Sequence, residues 1–450
     1  MSTDLFTIGA SSLRVYQNAL STTSENIANA ATPGYSRRTA TIEEFSTGNV
    51  RQLAHSTKLN GFGSHITGIA RAGDDLRAAE VRTTGSDLAR TEGGIVWLER
   101  IENGLTGNQL AGRLTAFFNA AKSVAADPAA SAPRAVMLES AQSLATAFAG
   151  TAQSLDAAMA DLNQKGADAA TQLSDLSAQL VRTNRGLTRV EAGSTAHAGL
   201  LDERDRILSS MSALTDVAVS VDGFGRATVH AGGAGGPLLA DAENAALVTF
   251  ASNPGGAVAF TAYVAGTPQA MVPSGGAMAG IADGAGKIAN MRESIDDLAT
   301  RLVQTVNTVQ SQGRDLDNQA GAALFTIGAS PTEIGVAISD PRKLAAAAVG
   351  EGVRGNGNYA NLAALRVSGG FEAGLDDLTV ANAAALAARR DVANAQTSIH
   401  GAAVSAHASV SGVDMDEEAV NLMRFQQAYQ ASSRVVQVAR DILQNILDIR

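Results

Sequence analysis

Four short stretches carry residue types that could do chemistry. In "GIADGAGKIAN", residues 280–290, Gly286-Lys287 closes a glycine-rich run, as in loops whose backbone N–H groups cradle a phosphate while a lysine reaches it. The spacing excludes that reading: the earlier glycine falls on Ile281, and the magnesium-binding Ser or Thr on Ile288. "GVDMDEE", residues 412–418, is the densest acidic cluster. Calcium would need oxygen ligands spread over about a dozen residues. Asp414 followed three residues later by Glu417 is instead a helix start, with carboxylates suited to the first turn. "LLDERDRIL", residues 200–208, offers paired carboxylates, but Asp202 and Arg206, four apart, read more simply as alternating charge on an exposed helix face. Of the six histidines, His55, His65, His197 and His230 are scattered. His400 and His407 could share a helix face but would stand about 10 Å apart, too far for one metal ion, and read as solvated or helix-seam positions. Neither a G-x-S-x-G elbow nor an H-E-x-x-H pair occurs, and the absence of cysteine removes disulfides and thiolate ligands. These residues predict no catalytic centre, no cofactor and no metal.

The elements that hold these stretches are mostly helical. At 450 residues the chain is long enough for two or three domains. Its hydrophobic share of 45% contains only 4% aromatics, and charged residues are 17%, so small aliphatics must form thin helix–helix seams. The net charge of −10, without a basic stripe, argues against nucleic acid. The opening "MSTDLFTIGASSLRVY" has no Sec-type signal pattern, and no run approaches the roughly 18 apolar residues of a membrane span. Neither membrane insertion nor Sec export is expected.

Both ends carry one narrow apolar seam. Phe6, Leu13, Leu20 and Ile27 recur every seven residues, with Gly9, Tyr16, Thr23 and Ala30 three residues later, the spacing of a helix with a single sticky stripe. Thr32-Pro33-Gly34 ends it. Leu422, Tyr429, Val436 and Leu443, with Phe425, Ser432, Ala439 and Ile446, mirror the pattern at the other end, widened by Val435, Ile442 and Ile449. The economical arrangement pairs the two termini. Between Arg14 and Arg37 the only formally charged side chain is Glu25. Such an uncharged outer face can pack against copies of itself without desolvating ions.

Inward lie a helical stretch over 85–124 with a break expected at Asn103-Gly104, a long Ala-rich helix over 134–190, and the helix of residues 200–214. From 215 to 276 the pattern alternates, Arg226 is the only basic residue, and "VAVSV", "ATVHA", "ALVTF" and "AVAFTAYVA" read as short strands between Gly-rich turns. Helices return over about 288–310 and 377–409, with Asp340-Pro341 opening a short one. The expected fold is mainly α with a small β insert: elongated and multidomain, with paired, coiled-coil-like N- and C-terminal helices. Residues 1–50 and 414–450 form a terminal helical domain, 51–214 and 277–413 a helix-rich rod, and 215–276 the inserted β-domain.

"SENIANAATPGYSRR", residues 24–38, resembles the N-terminal signature of the flagellar axial proteins, which include rod, hook and hook-associated proteins. "SGVDMDEEAVNLMRFQQAYQASSRVVQVARDILQNILDIR" resembles their C-terminal helix. The long helices of 85–190, "LLDERDRILSSMSALTDVAVSV" and "ALFTIG" are similar to the hook-associated family that forms the hook–filament junction. The resemblance implies a structural adaptor and no enzyme, with Asn26, Asn29, Pro33, Gly34 and Tyr35 joining the two seams as interface residues. It also implies a ring of copies between hook protein and a second junction protein, a cytoplasmic export chaperone at the C-terminal region, and secretion by the flagellar type III route to the extracellular flagellum. Larger members carry an outer domain after the "FTIG"-like segment, and its absence is expected here. The alternatives are hook protein or another axial protein, and, from a different class, a secreted enzyme or binding module with its site in the β insert.

Overall fold

Local punctuation decides where each element stops. In the computed structural model, which describes residues 2–44, 63–253 and 255–448, helix α1 spans Ser2–Asn29. Gly34, at φ +77°, then turns the chain, a conformation that costs glycine nothing. An antiparallel hairpin follows, β1 (Arg38–Glu44) against β2 (Ser64–Arg71). Helices α2 (Asp75–Gly107), α3 (Leu110–Ala126), α4 (Ser131–Leu187) and α5 (Thr195–Leu214) form the first half of the helical body. α2 begins where the Asp74 carboxylate accepts from the N–H groups of Leu76 and Arg77, a standard helix cap.

The β insert comprises two three-stranded antiparallel sheets. One orders β3 (Val217–Val221), β4 (Ala227–Ala231) and β5 (Leu238–Ala240); the other β6 (Leu247–Ser252), β7 (Val258–Val264) and β8 (Thr267–Met271). In the central strand β4, Ala227, Val229 and Ala231 are buried and their neighbours are not, so the alternation seen in the sequence is the inward face. Phe250 pairs with Phe260 across β6 and β7, ring centroids 5.2 Å apart.

The chain returns through α6 (Gly276–Gln312), strand β9 (Gly313–Arg314), the pair β10 (Phe325–Ile327) and β11 (Ile334–Val336), a 3-10 turn at Pro341–Lys343, and β12 (Ala347–Ala348). Helices α7 (Gly357–Ser368), α8 (Phe371–Ser411) and α9 (Met415–Asp448) complete it. One apolar core joins α2, α3, α4 and α6 with the inner faces of the sheets. Leu155, Leu162, Leu173 and Leu180 of α4 are fully covered, while Phe117 meets Phe118 and Phe325 at 5.4 and 5.7 Å. The fold is mainly α with a small β insert.

Three readings of the sequence need correction. The break in the first helical stretch falls at Asn108 and Gln109, the latter at φ 54°, rather than at Asn103-Gly104; Gly104 is buried against Leu155 in mid-helix. The hairpin β1–β2 and helix α7 were not expected. Asp202 does not face solvent: it is 5% exposed and held by Arg38 and Arg71, both far away in sequence, whereas Arg206 stays exposed and pairs with its neighbour Glu203.

Candidate functional site at the paired termini

α1 and α9 pack against each other, and the face α1 turns to its partner is small and polar. Val15, Ala19, Thr22, Thr23 and Asn26 are buried. Gly9 lies so close that a Cβ there would stand 2.6 Å from Val436 Cγ2. The covered face is thus centred one residue, about 100° of rotation, from the line through Leu13, Leu20 and Ile27, which are only partly buried along the flank. Phe6 is 49% exposed. On α9, Glu418, Ser432 and Ala439 are buried, and Leu422, Phe425 and Val436 partly so. Tyr16 meets Phe425 with ring centroids 6.5 Å apart. Tyr429 and Leu443 are 38% and 43% exposed. The side chain of Ile446 and all of Ile449 lie outside the described residues.

Asn26 is the centre of the junction. Its amide nitrogen donates to the Arg38 carbonyl at 2.8 Å and to Glu418 Oε2 at 3.1 Å. Its oxygen accepts from the Tyr35 hydroxyl at 2.8 Å and from the Arg38 N–H at 3.0 Å. All four bonding positions of the amide are filled. One side chain therefore ties α1, the turn after it and the first turn of α9. Burial pushes the Tyr35 phenol up to about 12, so it remains a donor at any ordinary pH. The turn itself brings Tyr35 into place: Pro33 and Gly34 are exposed, and Gly34 lies against Arg206, whose Cγ would be 2.5 Å from a Cβ. Asn29 bonds locally, donating to the Glu25 carbonyl at 2.9 Å.

The two arginines after Tyr35 extend the junction in opposite directions. Arg37 Nε donates to Glu418 Oε1 at 2.7 Å and its Nη2 to Glu417 at 2.9 Å. Burial works against the Arg37 charge, but these hydrogen bonds outweigh it and raise its pKa. Arg38 Nη2 donates to Asp202 Oδ2 at 2.9 Å, and its guanidinium lies 4.8 Å over the Tyr35 ring. Arg71 spans Asp202 and Asp205 at 2.7 Å each, and Arg204 closes on Asp205. A chain of ion pairs thus runs from α9 through the "YSRR" turn and β2 to α5. Glu418 and Asp202 have side chains 2% and 7% exposed, so these are fixed, desolvated contacts rather than surface pairs.

Asp414 caps α9, accepting from the N–H groups of Asp416 and Glu417 at 2.9 and 3.2 Å. Glu417 turns to Arg37. A cleft of about 700 Å³ lies beside the turn, lined in part by Pro33, Tyr35, Arg206, His407 and Ser411. His400 Nδ1 meets Thr84 Oγ1 at 3.0 Å and His407 Nδ1 meets Ser411 Oγ at 3.2 Å, both helix-seam positions. Among the described residues no His, Asp, Glu or Cys cluster could hold a metal ion, and no helix is long and apolar enough to cross a membrane. In the β insert His230 bonds the Gly236 carbonyl and Arg226 pairs with Asp222 at the surface; the polar groups do not converge.

The helical body decides the affiliation. Residues 97–325, just over half of the chain, match the family model described as the flagellar hook-associated protein FlgK helical domain. The chain belongs to the FlgK family. Residues 404–449 also match the C-terminal model of the flagellar basal body rod FlgEFG proteins, the segment that holds α9. The flagellar hook-associated protein 1 of Bacillus subtilis is 22% identical, with 97% of this chain aligned to 96% of that one. Those of Salmonella typhimurium and Escherichia coli are 25% and 26% identical; 71% of this chain aligns to 58% and 59% of theirs. The chain therefore spans nearly all of the Bacillus relative and well under two thirds of the enteric ones. The flagellar hook junction protein FlgK from Burkholderia pseudomallei superposes over 56% of this chain and 47% of that one, at a TM-score of 0.48 and 19% identity. After the FTIG segment this chain has only β11 and the 3-10 turn before β12 and α7.

Proposed function

We propose that the chain is a structural subunit of the bacterial flagellum, an adaptor ring between hook and filament built by packing of the terminal helices, and not an enzyme. The observation that carries this reading is the unfinished surface of the α1–α9 pair. Phe6, Val420, Met423, Tyr429, Val438 and Leu443 remain between 38% and 59% exposed on two helices already paired with each other. Isolated exposed apolar residues are ordinary, but a succession along one helix pair marks a docking surface. Few ions need be stripped of water when copies of α1 approach.

The partners proposed with it are further copies of the chain, hook protein and a second hook-associated junction protein. A cytoplasmic export chaperone would cover α9 before assembly, and export would follow the flagellar type III route to the cell exterior. The division proposed is 1–50 with 414–450 as the axial part, 51–214 with 277–413 as the rod, and 215–276 as the insert. The test is a gene deletion. Cells lacking the gene should carry hooks without filaments and regain filaments when it is restored. Filaments of normal number on the deletion strain would overturn the reading.

A further inference from the structure

The rejected phosphate-loop stretch holds a cationic cluster that the terminal helices do not use. Asp283 and Lys287 lie one turn apart on α6, facing Arg90 of α2 and Arg389 of α8. Arg90 Nη2 and Arg389 Nη2 both converge on one oxygen, Asp283 Oδ2, at 3.1 and 3.5 Å. Arg90 also donates to the Ser274 carbonyl at 2.8 Å. Arg389 lies flat over Gly94, where a Cβ would meet its Cζ at 3.3 Å, so α2 fixes its position. Among the described residues no carboxylate stands within ion-pair distance of Lys287. Burial, and then the neighbouring Arg389 charge, hold its ammonium below the ordinary lysine value. Two guanidinium groups therefore share one carboxylate at the meeting of three helices, with a third cation, Lys287, one turn along α6 from it.

We propose that Arg90, Lys287 and Arg389 form a receiving site for a carboxylate presented by a second copy of this chain. Two physical facts favour that occupant. Arg90, Lys287 and Arg389 with the single Asp283 leave an excess of two positive charges in a chain of net charge −10, and copies of an acidic subunit repel unless a basic patch meets an acidic one. The site is also not closed off: the side chains of Arg90 and Asp283 are 40% and 30% exposed, and Val392, three residues beyond Arg389, is 47% exposed. A carboxylate there would take the donors that Asp283 leaves unused and give Lys287 its counter-charge.

This inference rests on the proposed ring, because only an assembly brings copies side by side. The test compares wild type, K287R and the double variant Lys287→Glu with Arg389→Glu, each restored to cells lacking the gene, with circular dichroism of the purified proteins to verify folding. Wild type and K287R should rebuild filaments, and the charge-reversed protein, with an unchanged spectrum, about tenfold fewer or none. Equal filament numbers with the reversed protein would overturn the site while leaving the ring intact. If wild type itself restores none, the ring fails, and sedimentation of the purified proteins decides the site. Self-association lost on reversal, and weakened by salt in the wild type, supports it. Equal association, or none by the wild type at the highest attainable concentration, overturns it. If the double variant does not fold, K287Q takes its place, with the same outcomes.

Discussion

Asn26 shows how much a single amide can decide. It satisfies a carbonyl, an N–H, a phenol and a carboxylate drawn from three segments, so removing it strands four buried or half-buried groups at once. A buried polar group left without its partner costs about 1–3 kcal/mol. Asn26→Ala should therefore loosen the α1–α9 pair by roughly 2–4 kcal/mol if part of the loss is recovered by water. Hydrogen exchange of the α1 amides reads this directly: faster exchange in α1 with the α4 amides unchanged is expected. His407 offers a pH-dependent counterpart. Burial, first, holds its imidazole below its ordinary 6.5, with Asp205 and Asp74 opposing and Arg71 and Arg82 assisting. The folded chain thus binds fewer protons there than the unfolded one, and stability is lost as pH falls below about 6.5 toward the lowered value. In thermal melts at about pH 7.5 and 5.5, the drop should be smaller in His407→Gln than in the wild type.

At the scale of elements, close helix crossings depend on missing side chains. A Cβ on Gly284 of α6 would meet the indole of Trp97 on α2, 2.5 Å from its Cγ and 2.9 Å from its Cβ. A buried indole on a packed helix has little room to retreat. Gly284→Ala should cost about 1–3 kcal/mol despite alanine's better helix propensity. Because Trp97 is the only tryptophan, its fluorescence should shift toward the red while denaturant unfolding moves to lower midpoint. The helices themselves were legible because their apolar positions recur locally: the series of Leu155, Leu162 and Ala169 marks a buried stripe of α4, and the alternation of β4 marks a strand. The seam of α1 was legible as a seam but not in its centre, because Ala19, Thr22 and Asn26 carry no hydrophobic signal. The ion chain was out of reach for another reason. Glu418 lies 392 residues from Asn26, and Asp202 lies 164 from Arg38, so no local pattern separates these charges from solvated ones. "DERDR" read as an exposed face for that reason. Gln109, left-handed without being glycine, gave no warning of the real break between α2 and α3.

At the scale of the molecule, the chain folds back so that its first and last helices meet, and the ion chain from Glu418 to Asp205 fastens that pair to the helical body. The body buries one continuous apolar core, and the terminal pair carries apolar side chains that the described residues of a single copy leave exposed. The central claim is that these uncovered side chains exist for assembly and contribute little to the fold. Phe6→Glu with Leu443→Glu separates the two roles, because both positions are 40–50% exposed and a charge there loses little burial. The decisive measurement counts filaments on cells whose only copy of the gene carries both substitutions, with the thermal midpoint of the purified protein as control. An unchanged midpoint with filaments lost is the predicted result. Normal filaments from a protein of unchanged stability would contradict it.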